Sequence, residues 1–255
     1  MKPEHLTAPL TSRRILLKKI FRPAKFQRMD ELSLKGAEAI LFDMEGTLVD
    51  FQWDLDGAVR DTLEMLNASG FPVERLREKE YSALMTEAMK IAPEVGQSPG
   101  RVREKIGAIY DRYDEDAFSR WTLRPGARDF LNALKDERIK AGLVSNVGRK
   151  AVEKGFSKLH LRDAFQVVVT RNDVRDIKPS GEGIILALNR LQVGSSHAFH
   201  VGDSLDDIHA AREAGVKVIM ITGGKYEQPG FFSPGPDFLI NGFGGLIACL
   251  EREVP

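Results

Sequence analysis

The sequence predicts an α/β fold: a parallel sheet with helices on both faces, interrupted early by an inserted helical module. Three observations carry this expectation. Six short apolar runs recur from residue 38 onward, amphipathic helical patterns fill most of the gaps between them, and one long interval after the first run contains no strand pattern. Strands covered on both faces read as unbroken Val/Ile/Leu-rich runs, whereas a half-exposed strand alternates polar and apolar residues.

The expected strands are EAILF (38–42), KAGLVS (140–145), QVVVT (166–170), HAFHVG (197–202), VKVIMIT (216–222) and DFLI (237–240). Between them, GARDFLNALKDE, GRKAVEKGFSKL, GEGIILALNRL and SLDDIHAAREAG place apolar residues at helical spacing, the last closing at Gly215 as a C-cap. Strand–helix alternation of this kind makes a Rossmann-like parallel sheet. Residues 51–122 break the pattern with three expected helices. The first carries Leu55, Val59, Leu63 and Leu66 on one face, the second runs through VERLREKEYSALMTEAMKIA, and the third opens on Ser98–Pro99. The expected division is therefore a basic N-terminal extension (1–36), a Rossmann-like core (37–50 and 123–255) and a helical cap (51–122).

At 255 residues, 42% hydrophobic and 29% charged, the chain has the composition of a globular protein with a sizeable core. A single cysteine, Cys249, excludes an internal disulfide and a Cys-rich zinc site. With no apolar run long enough for a membrane span, a reducing, cytoplasmic setting is expected. The net charge of zero conceals an asymmetry, since residues 1–28 hold eight Lys or Arg against Glu4 alone. TSRRILLKKIF, with Leu16, Leu17, Ile20 and Phe21 at helical spacing, suits contact with anionic surfaces, nucleic acid or a targeting role. A helix packed on the body, or an extension upstream of a start at Met29, is the plainer reading.

Ligands of open parallel sheets bind beyond the carboxyl ends of the strands. There the first strand delivers Asp43, Glu45, Gly46 and Thr47. The second delivers Ser145 and Asn146, followed by Gly148, Arg149 and Lys150. The loop after the third contains Lys178, and the fourth delivers Gly202, Asp203, Ser204, Asp206 and Asp207. Carboxylates gathered on one edge repel one another and lose hydration. A hard divalent cation relieves both, and Mg²⁺ characteristically takes one or two carboxylates together with substrate phosphate. Asp43 and Asp203 are the natural ligands, and a carboxylate in that position can attack phosphorus. Ser145, Lys178 and backbone N–H groups near Gly46 can hold phosphoryl oxygens, with Glu45 left to move protons.

DMEGT, LVSN, IKP and VGDSLDD stand in the order and strand context of the four motifs of the haloacid dehalogenase superfamily, which the chain resembles over roughly residues 38–225. LRPGARDFLNALK and AAREAGVKVI are similar to its phosphoglycolate-phosphatase-like branch with a helical cap. The resemblance implies Asp43 as nucleophile and Glu45 as general acid/base with its backbone carbonyl on Mg²⁺. It implies Ser145 and Lys178, with Gly46, Thr47 and Asn146, as phosphate binders, Asp203 as metal ligand and Asp207 as support for the metal. Most phosphatases of the family carry Asp where this chain has Glu45. A retained acid still favours cleavage of a phosphate ester, whose leaving oxygen needs a proton, over dehalogenation.

The expectation is thus a Mg²⁺-dependent phosphatase for a small phosphorylated metabolite. A phosphomutase, an enolase-phosphatase (which also carries DxEGT) and a non-catalytic binding protein using the basic segment are the alternatives. Singly, each residue has a plainer role: Asp203 as a helix N-cap, Asp207 as a first-turn acid, Lys178, Arg149 and Lys150 as solvated charges, His200 as a core histidine. Trp53, Arg101, Arg103 and Tyr110 are the substrate-contact candidates of the helical interval. Neither substrate nor oligomeric state is specified by the sequence.

Overall fold

A computed structural model describes residues 31–76, 80–222 and 235–250; the basic segment at 1–28 lies outside them. Six parallel strands, β1 (Ala39–Phe42), β2 (Lys140–Val144), β3 (Val167–Val169), β4 (Ala198–Gly202), β5 (Lys217–Ile221) and β6 (Phe238–Ile240), form one sheet in the order β3-β2-β1-β4-β5-β6. All six lie within the apolar runs read from the sequence. Alternate residues of β1 supply the two faces, as the two-residue period of a strand requires. Ile40 and Phe42 enter a cluster with Phe130, Phe156 and Phe243. Ala39 and Leu41 join Ile184, Ile208 and Val218 on the other side.

Between β1 and β2 come α1 (Leu55–Ala68), α2 (Tyr81–Ile91) and α3 (Pro99–Arg120). They enclose a third apolar cluster of their own around Leu66, Leu84, Ile106 and Tyr110. The remaining helices are α4 (Ala127–Asp136), α5 (Arg149–Lys158), α6 (Glu182–Leu191), α7 (Leu205–Glu213) and α8 (Gly244–Leu250).

Two expectations need correction. The second helix of the interval does not run from Val73: Val73–Arg75 is a separate 3₁₀ turn, and Glu80 is extended (φ −64°, ψ 157°), so the helix starts at Tyr81. α8 has no counterpart in the sequence reading, because its GGLIACL opens on two glycines and carries no cap or charge signal.

β1 and β4 are neighbours in the middle of the sheet, with Phe42 paired to Val201. The crossovers run outward on either side of this pair, which makes the crevice beyond it the switch point of the topology. The chain leaves and re-enters the core beside that crevice on two tied segments. Val49 bridges antiparallel to Leu123, the Asp50 N–H donates to the Thr122 carbonyl, and the Arg124 N–H donates to the Leu48 carbonyl.

Candidate active site

The strand ends deliver their side chains into one buried cluster. The Asp43 N–H donates to the Val201 carbonyl at 2.9 Å, which extends the β1–β4 ladder by one step and holds Asp43 at the sheet edge. Lys178 Nζ stands 2.6 Å from Asp43 Oδ1 and 2.6 Å from Asp207 Oδ1. All three are buried. Burial works against the charge on Lys178, but the two carboxylates outweigh it and hold the ammonium above its usual range. Burial likewise raises Asp43, against the opposing pull of Lys178. Asp207 ends well below the carboxylate range, because Lys178 and His200 more than offset its desolvation.

Asp207 is held from every side. It accepts from His200 Nε2 across 2.9 Å, from the backbone N–H groups of Asp203 and Ser204, and from Ser204 Oγ at 2.6 Å. Ser204 in turn caps α7 through the Asp207 N–H, a reciprocal capping box. Asp203, directly after β4, accepts from the Thr47 hydroxyl at 3.2 Å. Gly46 lies at φ +80°, and a Cβ there would sit 2.2 Å from Asp203 Oδ2, so only glycine fits between the two loops. Asp43, Asp203 and Asp207 each offer an oxygen within 4.8 Å of the others, the one such buried group among the described residues.

Glu45 is oriented separately. Its Oε1 accepts the Trp121 indole N–H at 2.5 Å. Burial raises its carboxyl to about 8, against the smaller opposing effect of that hydrogen bond. Trp121 reaches it because Gly155 on α5 leaves space for the ring: a Cβ on Gly155 would lie 2.5 Å from Trp121 Cζ3.

Ser145 and Asn146 follow β2 as expected, with different uses. The Ser145 hydroxyl accepts the Val147 N–H at 3.3 Å and lines the cavity. The Asn146 amide takes the Lys178 N–H at 2.9 Å and donates to the Lys178 carbonyl at 3.0 Å, so it fixes the lysine loop.

Asp43, Glu45, Ser145, Asn146, Lys178 and Asp203 border one cavity of about 50 Å³. Trp53, the one substrate-contact candidate among the lining residues, donates its indole N–H to Asp114 Oδ1 at 3.0 Å. Tyr110 instead packs beneath Trp53, with its hydroxyl on the Tyr81 carbonyl. Arg103 spreads its guanidinium over the carbonyls of Arg171, Val174 and Arg175. Arg101 is exposed and Lys150 lies on the outer surface. Arg149 pairs with Asp173.

Sequence reasoning did not single out Trp121, Tyr81 or Asp114 as parts of the site, whereas Asp206 was expected at the fourth strand end. Asp114 on α3 accepts the Gly148 N–H at 2.9 Å and pairs with Arg171 at 2.6 Å, joining the helical interval to the core. The visible signal for Trp121 was its place at the re-entry into the core.

The family model of haloacid dehalogenase-like hydrolases matches residues 40–221. The chain belongs to that family. Within it, the chain is a hydrolase similar to phosphoglycolate phosphatases. The enzyme of that name from Salmonella choleraesuis is 29% identical over 238 residues, covering 85% of this chain and 94% of the relative. One from Pseudomonas fluorescens is 26% identical, covering 83% and 79%. Among solved structures, a haloacid dehalogenase-like hydrolase from Bacteroides fragilis superposes with a TM-score of 0.62 at 25% identity, covering 82% of this chain and 99% of the other. CbbY from Rhodobacter sphaeroides, in complex with xylulose-(1,5)bisphosphate, does so at 0.59 and 25%, covering 85% and all of the other chain. No helix among the described residues is long and apolar enough to cross a membrane.

Proposed function

We propose that this hydrolase is a Mg²⁺-dependent phosphomonoesterase that works through an aspartyl-phosphate on Asp43. The observation that carries this reading is the buried group of Asp43, Lys178, Asp203 and Asp207 at the switch point of the sheet. Three close carboxylates facing one ammonium leave an excess of negative charge, and their hard oxygen donors suit Mg²⁺. Asp43, Asp203 and the Glu45 backbone carbonyl would hold the ion, with Asp207 fixing the Asp203 loop from behind. When bound, Mg²⁺ supplies charge neutralisation between the attacking carboxylate and the anionic phosphoryl group.

The chain's own groups account for the rest. Lys178 favours the ionised form of Asp43, whose free oxygen attacks phosphorus while the P–O bond to the alcohol breaks. Lys178, Ser145 and the backbone beside Gly46 hold the phosphoryl oxygens. Glu45, carrying a proton at neutral pH because burial lifts it to about 8, gives that proton to the departing alkoxide. Now a carboxylate stabilised by the Trp121 N–H, Glu45 takes a proton from water as the water attacks the aspartyl-phosphate. Phosphate leaves, Asp43 is regenerated and Glu45 is reprotonated. Residues 51–122 serve as a cap over this chemistry, with Asp114 closing onto Gly148 and Arg171 to exclude bulk water.

The test is phosphate release from a panel of phosphorylated metabolites with Mg²⁺ and with chelator. Turnover that requires Mg²⁺ and vanishes in Asp43→Asn, with the fold retained by circular dichroism, is the expected result. Isomer formation without phosphate release would instead make the protein a mutase, and turnover by Asp43→Asn would remove Asp43 as nucleophile.

A further inference from the structure

The walls of the cavity beyond the catalytic cluster have a definite chemistry. From the connection out of β1 and from α2 come Phe51, Trp53 and Tyr81, with Trp53 and Tyr81 in ring contact at 4.9 Å. The polar groups added to these rings include two carboxyl groups, Asp114 from α3 and Asp206 from the first turn of α7. Burial raises both above the usual carboxylate range, against the lowering effects of Arg171 on Asp114 and of a Ser82 hydrogen bond on Asp206.

The nearby cations are turned elsewhere. Arg171 is not itself a lining residue; it donates to the Asn146 carbonyl and pairs with Asp111 and with Asp114 of the wall. Arg103 is committed to three backbone carbonyls. Lys178 sits between Asp43 and Asp207 at the phosphoryl end. Among the described residues, Lys178 is the one cation in the cavity wall.

Among the described residues, no basic side chain other than Lys178 stands in this space to receive a carboxylate on the leaving group. Such a carboxylate would meet three aromatic side chains and two acids after losing its own hydration. Of the acids, Asp114 is already paired with Arg171, and Asp206 carries no such partner among the described residues. An uncharged alcohol meets none of these costs. Its C–H groups lie against the rings, and its hydroxyls can donate to carboxyl oxygens.

Resting on the phosphatase reading above, we propose that the site takes phosphate monoesters of small uncharged alcohols and rejects carboxylate-bearing esters. 2-Phosphoglycolate, the substrate for which the curated relatives are named, falls in the rejected class. The selection is made at the wall of Phe51, Trp53, Tyr81, Asp114 and Asp206, and not at the phosphoryl cluster.

Matched pairs of esters test this on the full chain with Mg²⁺. 2-Hydroxyethyl phosphate differs from 2-phosphoglycolate by CH₂OH in place of the carboxylate. Glycerol 3-phosphate and 3-phosphoglycerate form a second pair. Acetyl phosphate, uncharged at its acyl group until the P–O bond breaks, reports phosphoryl transfer to Asp43 without a proton from Glu45. The expected result is a kcat/KM on the order of 100-fold higher for the uncharged member of each pair, since a desolvated charge without a partner discriminates strongly. In Asp206→Asn the ratio within each pair should narrow several-fold. Equal or faster turnover of 2-phosphoglycolate overturns the inference while leaving the phosphatase reading intact. An unchanged ratio in Asp206→Asn overturns the part given to that residue. Failure to hydrolyse any compound, acetyl phosphate included, removes the phosphatase reading and the selectivity with it.

Discussion

Glu45→Gln should make the metal-free protein more stable at neutral and alkaline pH, and the size of the effect follows from the burial of this carboxyl. In the unfolded chain Glu45 loses its proton around pH 4.5; in the folded protein burial holds the proton until about 8. Between these values the native state carries a proton that the unfolded state has released. The stability associated with Glu45 is therefore fully present below pH 4.5 and is lost as pH rises through 8. At about 1.4 kcal/mol for each pH unit, the interval sets a ceiling on the order of 5 kcal/mol. Glutamine keeps a carbonyl oxygen for the Trp121 N–H but does not titrate. The assay is urea unfolding of both proteins in chelator at pH steps from 5 to 9. The difference in unfolding free energy should grow with pH and level off above 8, since all other groups titrate alike in the two proteins. A difference that stays flat across the range would refute the argument, because it would show that Glu45 ionises in the folded protein as it does in solution.

Three further outcomes follow from the same geometry. Trp121→Phe keeps the ring in its slot but removes the donor to Glu45; a hydrogen bond to a carboxylate contributes about 1.5–3 kcal/mol, so kcat should fall roughly 10-fold or more with little change in KM, and the alkaline limb of the pH–kcat profile should move upward. Gly155→Ala drives a methyl into the Trp121 ring and should cost about 1–3 kcal/mol in unfolding free energy, with a parallel loss of kcat. Lys178→Met leaves Asp43 and Asp207 buried without their shared cation; thermal melts in chelator should show a loss on the order of 3–5 kcal/mol, partly restored by Mg²⁺.

The sheet was legible because its strands are covered on both faces: VVV of β3 and the AFHV and KVIMI runs leave little doubt about a buried strand. Short helices were less so. α8 has seven residues and opens on two glycines, and the start of α2 depends on an extended Glu80 that no local pattern marks. At the site, residues immediately after a strand could be placed from sequence, since the strand end fixes where they stand. Asp43, Ser145 and Asp203 are of this kind. Residues brought in by tertiary packing could not. Asp114 sits in YDEDAF among other acids and reads as part of a solvated face; its burial against Gly148 and Arg171 emerges only when α3 packs on the core. Tyr81 and Trp121 read as ordinary core aromatics for the same reason.

The longer acid at position 45 makes most sense together with the way the chain re-enters the core. An acid one methylene longer than Asp places its oxygen farther from the strand end, where the Gln52 backbone N–H is one donor to it. Trp121 meets it there, and Trp121 stands at the tied exit: the Val49–Leu123 bridge, the Asp50–Thr122 contacts and the Arg124–Leu48 hydrogen bond hold this segment to the core. The indole is also seated on Gly155 of α5, which belongs to the core layer. A swing of α1, α2 and α3 about these crossings would carry Tyr81 and Asp114 away while leaving Trp121 on Glu45. The groups proposed to set the proton transfer are thus tied to the core, and those proposed to face the leaving alcohol come mainly from the helical interval and the connection leading into it. Substitutions of Phe51 or Tyr81 should then change which ester is taken without moving the pH dependence set by Glu45. A substitution of Asp114 should move both, because its charge raises Glu45, and Trp121→Phe should move the pH dependence alone.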